Sequence, residues 1–179
     1  MTSSEIRHVA VIGTGTIGAS WAAFFLSRGL AVAASDPAPA AEDFVRRFVA
    51  AAWPALVSLG GVEAIPEHRL SFHAQPEEAV AEAEFVQENA PECARLKRQL
   101  LHRIDAVLPP SVIIASSSSG LLMSDLQKIA AIPNAALSGI RPTRLISCRW
   151  SRLSRARRRH RWLSSARSRS TRRSASGRY

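Results

Sequence analysis

The feature that most constrains the fold is a glycine pattern near the start of the chain, Gly13-Thr14-Gly15-Thr16-Ile17-Gly18. A short apolar run, His8–Ile12, precedes it. A stretch with apolar residues at helical spacing, Ile17–Arg28, follows it. Three glycines at this spacing between a strand and a helix are typical of a turn that binds a dinucleotide pyrophosphate, with the first amides of the helix facing the phosphates.

Asp36 indicates which dinucleotide the turn would bind. It follows a second apolar run, Leu30–Ser35, and lies 23 residues after Gly13. A carboxylate at this place accepts hydrogen bonds from the adenosine ribose and repels a 2′-phosphate, so the sequence predicts NAD rather than NADP as the cofactor. The alternative is an ordinary glycine-rich turn and an Asp-Pro turn that bind no cofactor.

Strand and helix signals alternate along the first 115 residues. The predicted strands are His8–Ile12, Leu30–Ser35, Leu70–His73, Glu84–Gln87 and Val112–Ala115. The predicted helices are Ile17–Arg28, Ala41–Leu59, Pro76–Glu82 and Pro91–Val107. The strands are continuous apolar runs, as expected for parallel strands that are buried on both faces. The pattern predicts an α/β protein with a Rossmann-like, doubly wound, mostly parallel sheet.

The composition changes abruptly at Gly139. Residues 140–179 contain 14 Arg and no Lys, Asp or Glu. The whole chain has 24 basic and 14 acidic residues, so 10 basic and 14 acidic residues precede the change and give a net charge of −4. A segment that is so highly charged and poor in apolar residues is expected to be disordered. The predicted organisation is therefore a folded domain, 1–139, and a basic tail rich in Arg and Ser, 140–179.

Cysteine usage and hydropathy suggest where the protein is found. Two cysteines, Cys93 and Cys148, provide no disulfide framework. No signal-peptide pattern and no apolar run of membrane-spanning length is recognisable. We therefore expect a cytoplasmic protein without membrane contact.

Polar residues follow the fourth and fifth predicted strands. Glu88, Glu92 and Lys97 lie at the end of the fourth strand and along the next helix, where charges are ordinarily solvated. The run Ser116–Ser119, followed by Gly120, lies at the carboxyl end of the fifth strand, where open α/β sheets bind ligands. The residues alone leave two interpretations open, a binding loop and a flexible turn or helix cap.

These stretches resemble the 3-hydroxyacyl-CoA dehydrogenase family over residues 7–139. The resemblance rests on Phe85-Val86-Gln87-Glu88-Asn89-Ala90-Pro91-Glu92, Leu96-Lys97 and the run from Ile114 to Leu122. The branch of the family that oxidises carnitine is most similar, through Asp36-Pro37-Ala38-Pro39, Ala52-Trp53 and the S-S-S-S-G-L-L run. The resemblance implies hydride transfer from a 3-hydroxyl group to NAD, a helical C-terminal domain that is not recognisable here, and homodimers of the full-length enzymes.

The resemblance also implies roles for individual residues. Those expected to hold NAD are Gly13, Gly15, Thr16, Ile17, Gly18 and Asp36, together with Glu88, Glu92 and Lys97 near the nicotinamide. Ser119 corresponds to the active-site serine, whose hydroxyl contacts substrate and cofactor, and no metal site is expected. Family members that act on CoA thioesters tend to have serine and lysine early in the helix after Asp36, whereas this chain has only Arg46 and Arg47 there. This favours L-carnitine or a similar small 3-hydroxy acid over the alternative, a 3-hydroxyacyl-CoA of fatty-acid oxidation.

One family segment is missing. The family carries a histidine general base in a segment like G-H-P-x-N-P-P, with a glutamate in a following P-L-V-E-V-V, whereas Gly139 here precedes Ile140-Arg141-Pro142-Thr143-Arg144. Codons shifted by one base from Gly139 permit His, Pro, Asn, Pro and Pro, and from Arg149 onward they permit Leu, Val, Glu, Val and Val. Only the residue after His-Pro cannot be the usual phenylalanine. The sequence thus predicts a frame change near Gly139, and a chain that binds NAD weakly and without turnover.

The tail has a second interpretation. Arg155 to Arg161, and the Arg–Ser alternation from Arg167 to Arg173, are able to bind phosphate backbones through counterion release. The chain would then be a non-catalytic NAD-binding module with a nucleic-acid-binding arm. An evolved arm is expected to use Lys as well as Arg, and this tail contains no Lys. Even an accidental tail would bind nucleic acid non-specifically at low salt.

Overall fold

The computed structural model describes residues 6–119 and 145–147. All of them belong to the compact unit Met1–Cys148, and the second unit, Arg149–Tyr179, lies outside the described residues. The strands are β1 (His8–Ile12), β2 (Ala31–Ser35), β3 (Leu70–His73), β4 (Phe85–Glu88), β5 (Ile113–Ser116) and β6 (Leu145–Ser147). The helices are α1 (Thr16–Ser27), α2 (Ala41–Ser58), α3 (Pro76–Val80) and α4 (Ala94–Val107), with a short 3-10 helix at Glu67–Arg69.

The strands form one parallel sheet in the order β3-β2-β1-β4-β5-β6. This is the order of the doubly wound dinucleotide-binding fold, and the direction of winding reverses between β1 and β4. One row of paired residues crosses the sheet near its carboxyl end: His73, Ser35, Ile12, Glu88, Ser116 and Ser147. The predicted fold class is therefore confirmed.

Helices cover both faces of the sheet. On one face, α1 and α2 pack over a core that includes Val11, Leu26 and Val45, each with 0% exposure. On the other face, α3 and α4 pack over a core that includes Val86 and Ile104. Each fully buried large aliphatic side chain contributes about 1.5–3 kcal/mol through removal from water. The two cores explain why the strands are apolar without alternation.

Helix boundaries follow local sequence signals, with one clear exception. Helix α2 ends before Gly60, whose φ of 83° lies in the left-handed region, and the amides of Gly60 and Gly61 donate to the carbonyls of Val57 and Leu56. Helix α4, predicted from Pro91, begins only at Ala94. The reason is a tight turn in which the Cys93 amide donates to the Pro91 carbonyl at 2.7 Å, so Pro91 to Cys93 form a loop.

Strand β6 was not predicted. Leu145–Ser147 lies in the tail that was expected to be disordered, and it pairs with β5 in parallel. The edge of β5 presents backbone donors and acceptors, which a short apolar segment is able to pair. The final strand expected near Ala135 and the other residues of the tail lie outside the described residues. Among the helices within residues 6–119, none is long and apolar enough to cross a bilayer.

Candidate functional site

The candidate site lies at the carboxyl edge of the sheet, around the point where the winding reverses. Because Ser35, Ile12, Glu88 and Ser116 are paired in one row, the residues that follow them emerge at the same edge. The loops after β1 and β2 form a part here called the glycine-turn side, made of residues 13–18 and Asp36. The loops after β4 and β5 form the serine-loop side, made of Glu88, Glu92, Lys97 and residues 116–119.

Two glycines of the turn are required by close backbone contacts. Gly13 has φ of 84°, its amide donates to the Ser35 carbonyl at 2.8 Å, and a Cβ there would lie 2.8 Å from the Asn89 backbone. A Cβ at Gly18 would lie 1.8 Å from the Gly13 carbonyl oxygen. The missing side chains therefore let α1 start directly against the end of β1 and the loop after β4.

The third glycine leaves room for a ligand. A Cβ at Gly15 would meet no atom within 4 Å, and Gly15, Thr16 and Ile17 are all exposed. The first turn of α1 contains no acidic side chain, so no carboxylate of the helix itself competes for its amides. This space and these donors fit a pyrophosphate group.

Asp36 closes the turn. Its Oδ2 accepts a hydrogen bond from the Thr14 amide at 2.7 Å, and its Oδ1 accepts one from the Ala38 amide at 2.9 Å. A carboxylate has about four acceptor positions, so about two remain after these bonds. Asp36 is half-buried at the end of β2, and it therefore combines a structural role with free acceptors at the surface.

The serine-loop side contains a buried ion pair. The Lys97 Nζ lies 2.7 Å from Oε1 and 2.9 Å from Oε2 of Glu88, and the exposed fractions are 1% for Lys97 and 0% for Glu88. The Ser116 hydroxyl donates to Glu88 Oε2 at 2.5 Å, and the Ala90 amide donates to Oε1 at 2.7 Å. This carboxylate is therefore saturated with donors inside the protein.

Glu92 and Ser119 lie at the surface above this pair. The Ser118 hydroxyl donates to Glu92 Oε2 at 2.8 Å, and the Ser119 amide donates to Glu92 Oε1 at 3.2 Å. Ser118 is buried, whereas Ser119 and Glu92 are exposed. The Glu92 carboxylate thus joins the loop that carries Ser119 to the loop before α4.

A third polar network was missed by the sequence analysis. The Gln87 side-chain amide donates to the Ser117 hydroxyl at 3.0 Å, and that hydroxyl donates to Asn89 Oδ1 at 2.7 Å. The Asn89 side-chain amide donates back to the Gln87 carbonyl at 3.1 Å. Gln87 is fully buried, and a glutamine inside an apolar strand was the signal that pointed to this network. It joins the ends of β4 and β5 next to the glycine turn.

The predicted site residues thus occupy two neighbouring places. On the glycine-turn side, Gly15, Thr16 and Ile17 are exposed with open space at Gly15, Asp36 is half-buried, and Gly13 and Gly18 pack against neighbouring backbone. On the serine-loop side, Glu92 and Ser119 reach the surface, whereas Glu88 and Lys97 are buried and bound to each other. Sequence reasoning placed Glu88, Glu92 and Lys97 together near the nicotinamide, with Ser119 as the active-site serine, but did not separate the buried pair from the surface residues.

The histidines in the described residues lie away from the serine loop. His73 ends β3, which is separated from β5 by three strands, a distance of about 19 Å from Ser116 at the usual strand spacing. His8 starts β1 at the opposite end of the sheet, and His68 precedes β3. His102 is exposed in the middle of α4. Within residues 6–119, the serine loop therefore has no histidine beside it.

Comparison with known proteins identifies the family. Residues 8–139 match the 3-hydroxyacyl-CoA dehydrogenase, NAD binding domain. The chain belongs to this family. Its cofactor is accordingly NAD, as Asp36 and the glycine turn indicate.

Similar proteins extend the comparison. The chain is 54% identical over 140 residues to an L-carnitine dehydrogenase of Streptomyces coelicolor, covering 78% of this chain and 44% of that protein. It is 46% identical over 136 residues to an L-carnitine dehydrogenase of Pseudomonas aeruginosa, covering 76% of this chain and 42% of that protein. The chain therefore spans less than half the length of these relatives.

Solved structures show the same fold. An NAD-dependent dismutase, 5-formyl-3-hydroxy-2-methylpyridine 4-carboxylic acid 5-dehydrogenase, superposes with a TM-score of 0.67 at 32% identity, over 82% of this chain and 45% of that chain. The 3-hydroxybutyryl-CoA dehydrogenase of Escherichia coli superposes with a TM-score of 0.65 at 25% identity, over 81% of this chain and 29% of that chain.

Proposed function

We propose that this chain is the NAD-binding part of a dehydrogenase that oxidises a 3-hydroxyl group to a ketone, with L-carnitine or a similar small 3-hydroxy acid as substrate. The observation that carries the proposal is the open glycine turn closed by Asp36, in a chain that is 54% identical to an L-carnitine dehydrogenase over 140 residues. NAD supplies the hydride acceptor when it is bound.

The two sides of the site would bind different halves of NAD. The amides at Gly15, Thr16 and Ile17 would bind the pyrophosphate, and the free acceptors of Asp36 would bind the adenosine ribose. Gly13 and Gly18 would act by keeping the turn tight. The serine-loop side would serve the nicotinamide half, with Glu92 and Ser119 at the surface and with Glu88 and Lys97 close beneath them.

The structure near α2 supports a small substrate. Two arginines early in α2 are the candidates for binding a CoA phosphate, and Arg46 is engaged by Glu42, with its Nη2 at 2.7 Å from Oε1. Arg47, the other arginine, is exposed and forms no ion pair within residues 6–119. The alternative, a 3-hydroxyacyl-CoA dehydrogenase, would need the CoA phosphates to be bound by one exposed arginine or by residues outside the described part.

We propose further that the chain as written binds NAD without turnover, because the family's histidine is replaced by Ile140 after Gly139. The shifted codons support a frame change at this point, and 140–179 would then be a product of that change. Sequencing of the gene across the codons for Ser138 to Trp150 tests it. One additional base there restores the longer enzyme, whereas an unchanged frame leaves an NAD-binding domain with an unrelated tail.

Activity measurements test the whole proposal. NADH formation from NAD is followed by absorbance with L-carnitine and with 3-hydroxybutyryl-CoA, for the present chain and for a gene with the restored frame. We expect turnover only in the restored protein and only with the small hydroxy acid. Turnover by the present chain would contradict the proposal that it lacks the histidine general base. A preference for the CoA thioester would contradict the proposed small hydroxy acid substrate.

Location and partners complete the proposal. A cytoplasmic enzyme, homodimeric in its full-length form, agrees with the family resemblance.

A second candidate function, a non-catalytic NAD module whose tail binds nucleic acid, rests on the 14 arginines after Gly139. Binding to random-sequence DNA at rising salt separates the two, because purely electrostatic binding loses affinity steeply with salt and shows no sequence preference. Sequence-selective binding at physiological salt would favour the second candidate.

A further inference from the structure

Glu88 is the most completely surrounded charged group on the serine-loop side. Its carboxylate is 0% exposed and accepts from three groups, the Lys97 ammonium, the Ser116 hydroxyl and the Ala90 amide. A buried carboxylate with this many donors has no acceptor position facing solvent. A direct contact between Glu88 and a cofactor would require these bonds to break.

Stability alone does not account for such a pair. Removal of two charges from water is costly, and a buried ion pair is often no more stabilising than apolar side chains of similar volume. Buried charges at functional edges of a fold are instead suited to holding neighbouring groups in one geometry. The three donors of Glu88 come from three different segments, which are α4, the loop after β4, and the end of β5.

The contacts continue from Glu88 to the exposed serine. The Ser116 hydroxyl donates to Glu88 and accepts from the Ser118 amide at 3.2 Å, so its orientation is fixed from both sides. The Ser118 hydroxyl and the Ser119 amide then bind Glu92. The place of Ser119 therefore depends on Glu88 through Ser116 and Ser118.

We infer that Glu88 is a positioning residue, which holds Lys97 and the serine loop in the geometry that receives the nicotinamide half of NAD without touching the cofactor itself. The inference rests on the proposed division of the cofactor between the two sides. Glu88 would affect the ADP half much less, because that half would bind the glycine turn and Asp36, and the Asp36 carboxylate is bound by Thr14 and Ala38 rather than by Glu88 or its partners. The glycine turn touches the Glu88 network only where Gly13 packs against the backbone of Asn89 and Ala90.

The test compares NAD with ADP, which lacks the nicotinamide half. Affinities of the full chain and of Glu88→Gln are measured by calorimetry at physiological ionic strength, where contacts of the basic tail with phosphates are weakened and are the same in both proteins. We expect Glu88→Gln to weaken NAD binding about tenfold and to change ADP binding by less than about twofold. A purely structural role of Glu88 predicts an equal loss for both ligands, and this result overturns the inference.

A second variant and a control keep the test informative if Glu88→Gln does not fold. Ser116→Ala keeps the ion pair and removes only the hydrogen bonds that link Glu88 to the serine loop. We expect it, too, to weaken NAD binding more than ADP binding. Ile104→Val, a buried change on the same helix as Lys97, should leave both affinities unchanged. Unchanged or tighter NAD binding in Ser116→Ala also overturns the inference. Failure of the unaltered chain to bind either ligand contradicts the proposed function instead.

Discussion

The glycine-turn side and the serine-loop side meet at one edge of the sheet but are built differently. The first is made of backbone amides, missing side chains and one half-buried carboxylate around open space. The second is made of side chains that bind one another, with a saturated ion pair beneath an exposed serine. Recognition by backbone depends on short-range sequence, whereas recognition by a side-chain network depends on residues brought together from several segments.

The largest expected effect concerns the buried pair. Lys97→Met leaves the Glu88 carboxylate buried without its cation and should lower the free energy of unfolding by about 3–5 kcal/mol, as measured by urea denaturation. The double variant Glu88→Gln with Lys97→Met removes both charges and should regain most of this loss. If the single and double variants are equally unstable, the pair does not act as a unit and the contrast between the two sides fails.

The glycine turn provides the next largest effect, and it separates packing from binding. Gly18→Ala places a Cβ 1.8 Å from the Gly13 carbonyl oxygen, so α1 must shift. We expect this variant to lose about 1–3 kcal/mol of stability and also to lose NAD binding. Gly15→Ala is the matched control, since its Cβ meets nothing within 4 Å. Gly15→Ala should lower the free energy of unfolding by at most about 1 kcal/mol, yet it should still weaken NAD binding about tenfold. Full NAD affinity in Gly15→Ala would show that the space above Gly15 is not the pyrophosphate site.

A smaller effect is expected for cofactor choice. Asp36→Asn keeps an oxygen that is able to accept the Thr14 amide, but it removes the negative charge and the second acceptor, which the Ala38 amide uses. We expect the preference for NAD over NADP to fall about tenfold in competition experiments, with a loss of stability of about 1 kcal/mol from the broken Ala38 bond. An unaltered preference would mean that the charge of Asp36 does not reach the 2′ position.

The smallest effect is expected from a solvent-accessible ion pair between Glu77 of α3 and Arg103 of α4, which serves as a contrast to the buried pair of Lys97. Hydrogen bonds from the Arg103 guanidinium lower the pKa of Glu77 below its ordinary value of 4.5. The contribution to stability is therefore present above about pH 4.5 and is lost as the pH falls through the lowered pKa of the folded protein. Glu77→Gln should reduce stability by about 0.2–1 kcal/mol at neutral pH and flatten the acid dependence, without any change in NAD affinity. A change in NAD affinity would link this surface to the site.

The sequence predicted the fold well because strand and helix signals are local. Leu70–His73 and His8–Ile12 have the predicted bounds, and Gly60-Gly61 ends α2 as expected. The delayed start of α4 was not predicted, since it depends on a turn at Pro91 that hydropathy does not encode. Strand β6 was not predicted because pairing at an open sheet edge is a long-range event.

The candidate site was predictable in part for the same reason. The glycine spacing and Asp36 form a pattern within 24 residues, 13 to 36, and the structure joins Asp36 to this turn through the Thr14 amide. The burial of Glu88 and Lys97 depends on α4 packing against β4 and β5, and no short pattern encodes it. The roles of individual residues toward NAD stay predictions until binding is measured.

The pairing of Leu145–Ser147 with β5 has a consequence for how such a domain withstands genetic change. Backbone hydrogen bonds are the same for every residue except proline, so a sheet edge accepts a neighbouring strand with little regard to which codons encode it. If the edge strand has so little sequence specificity, a frame change downstream of β5 would leave the five inner strands folded. Such a chain would still bind the cofactor after it had lost catalysis, and natural selection would act on a folded protein rather than on an unfolded one.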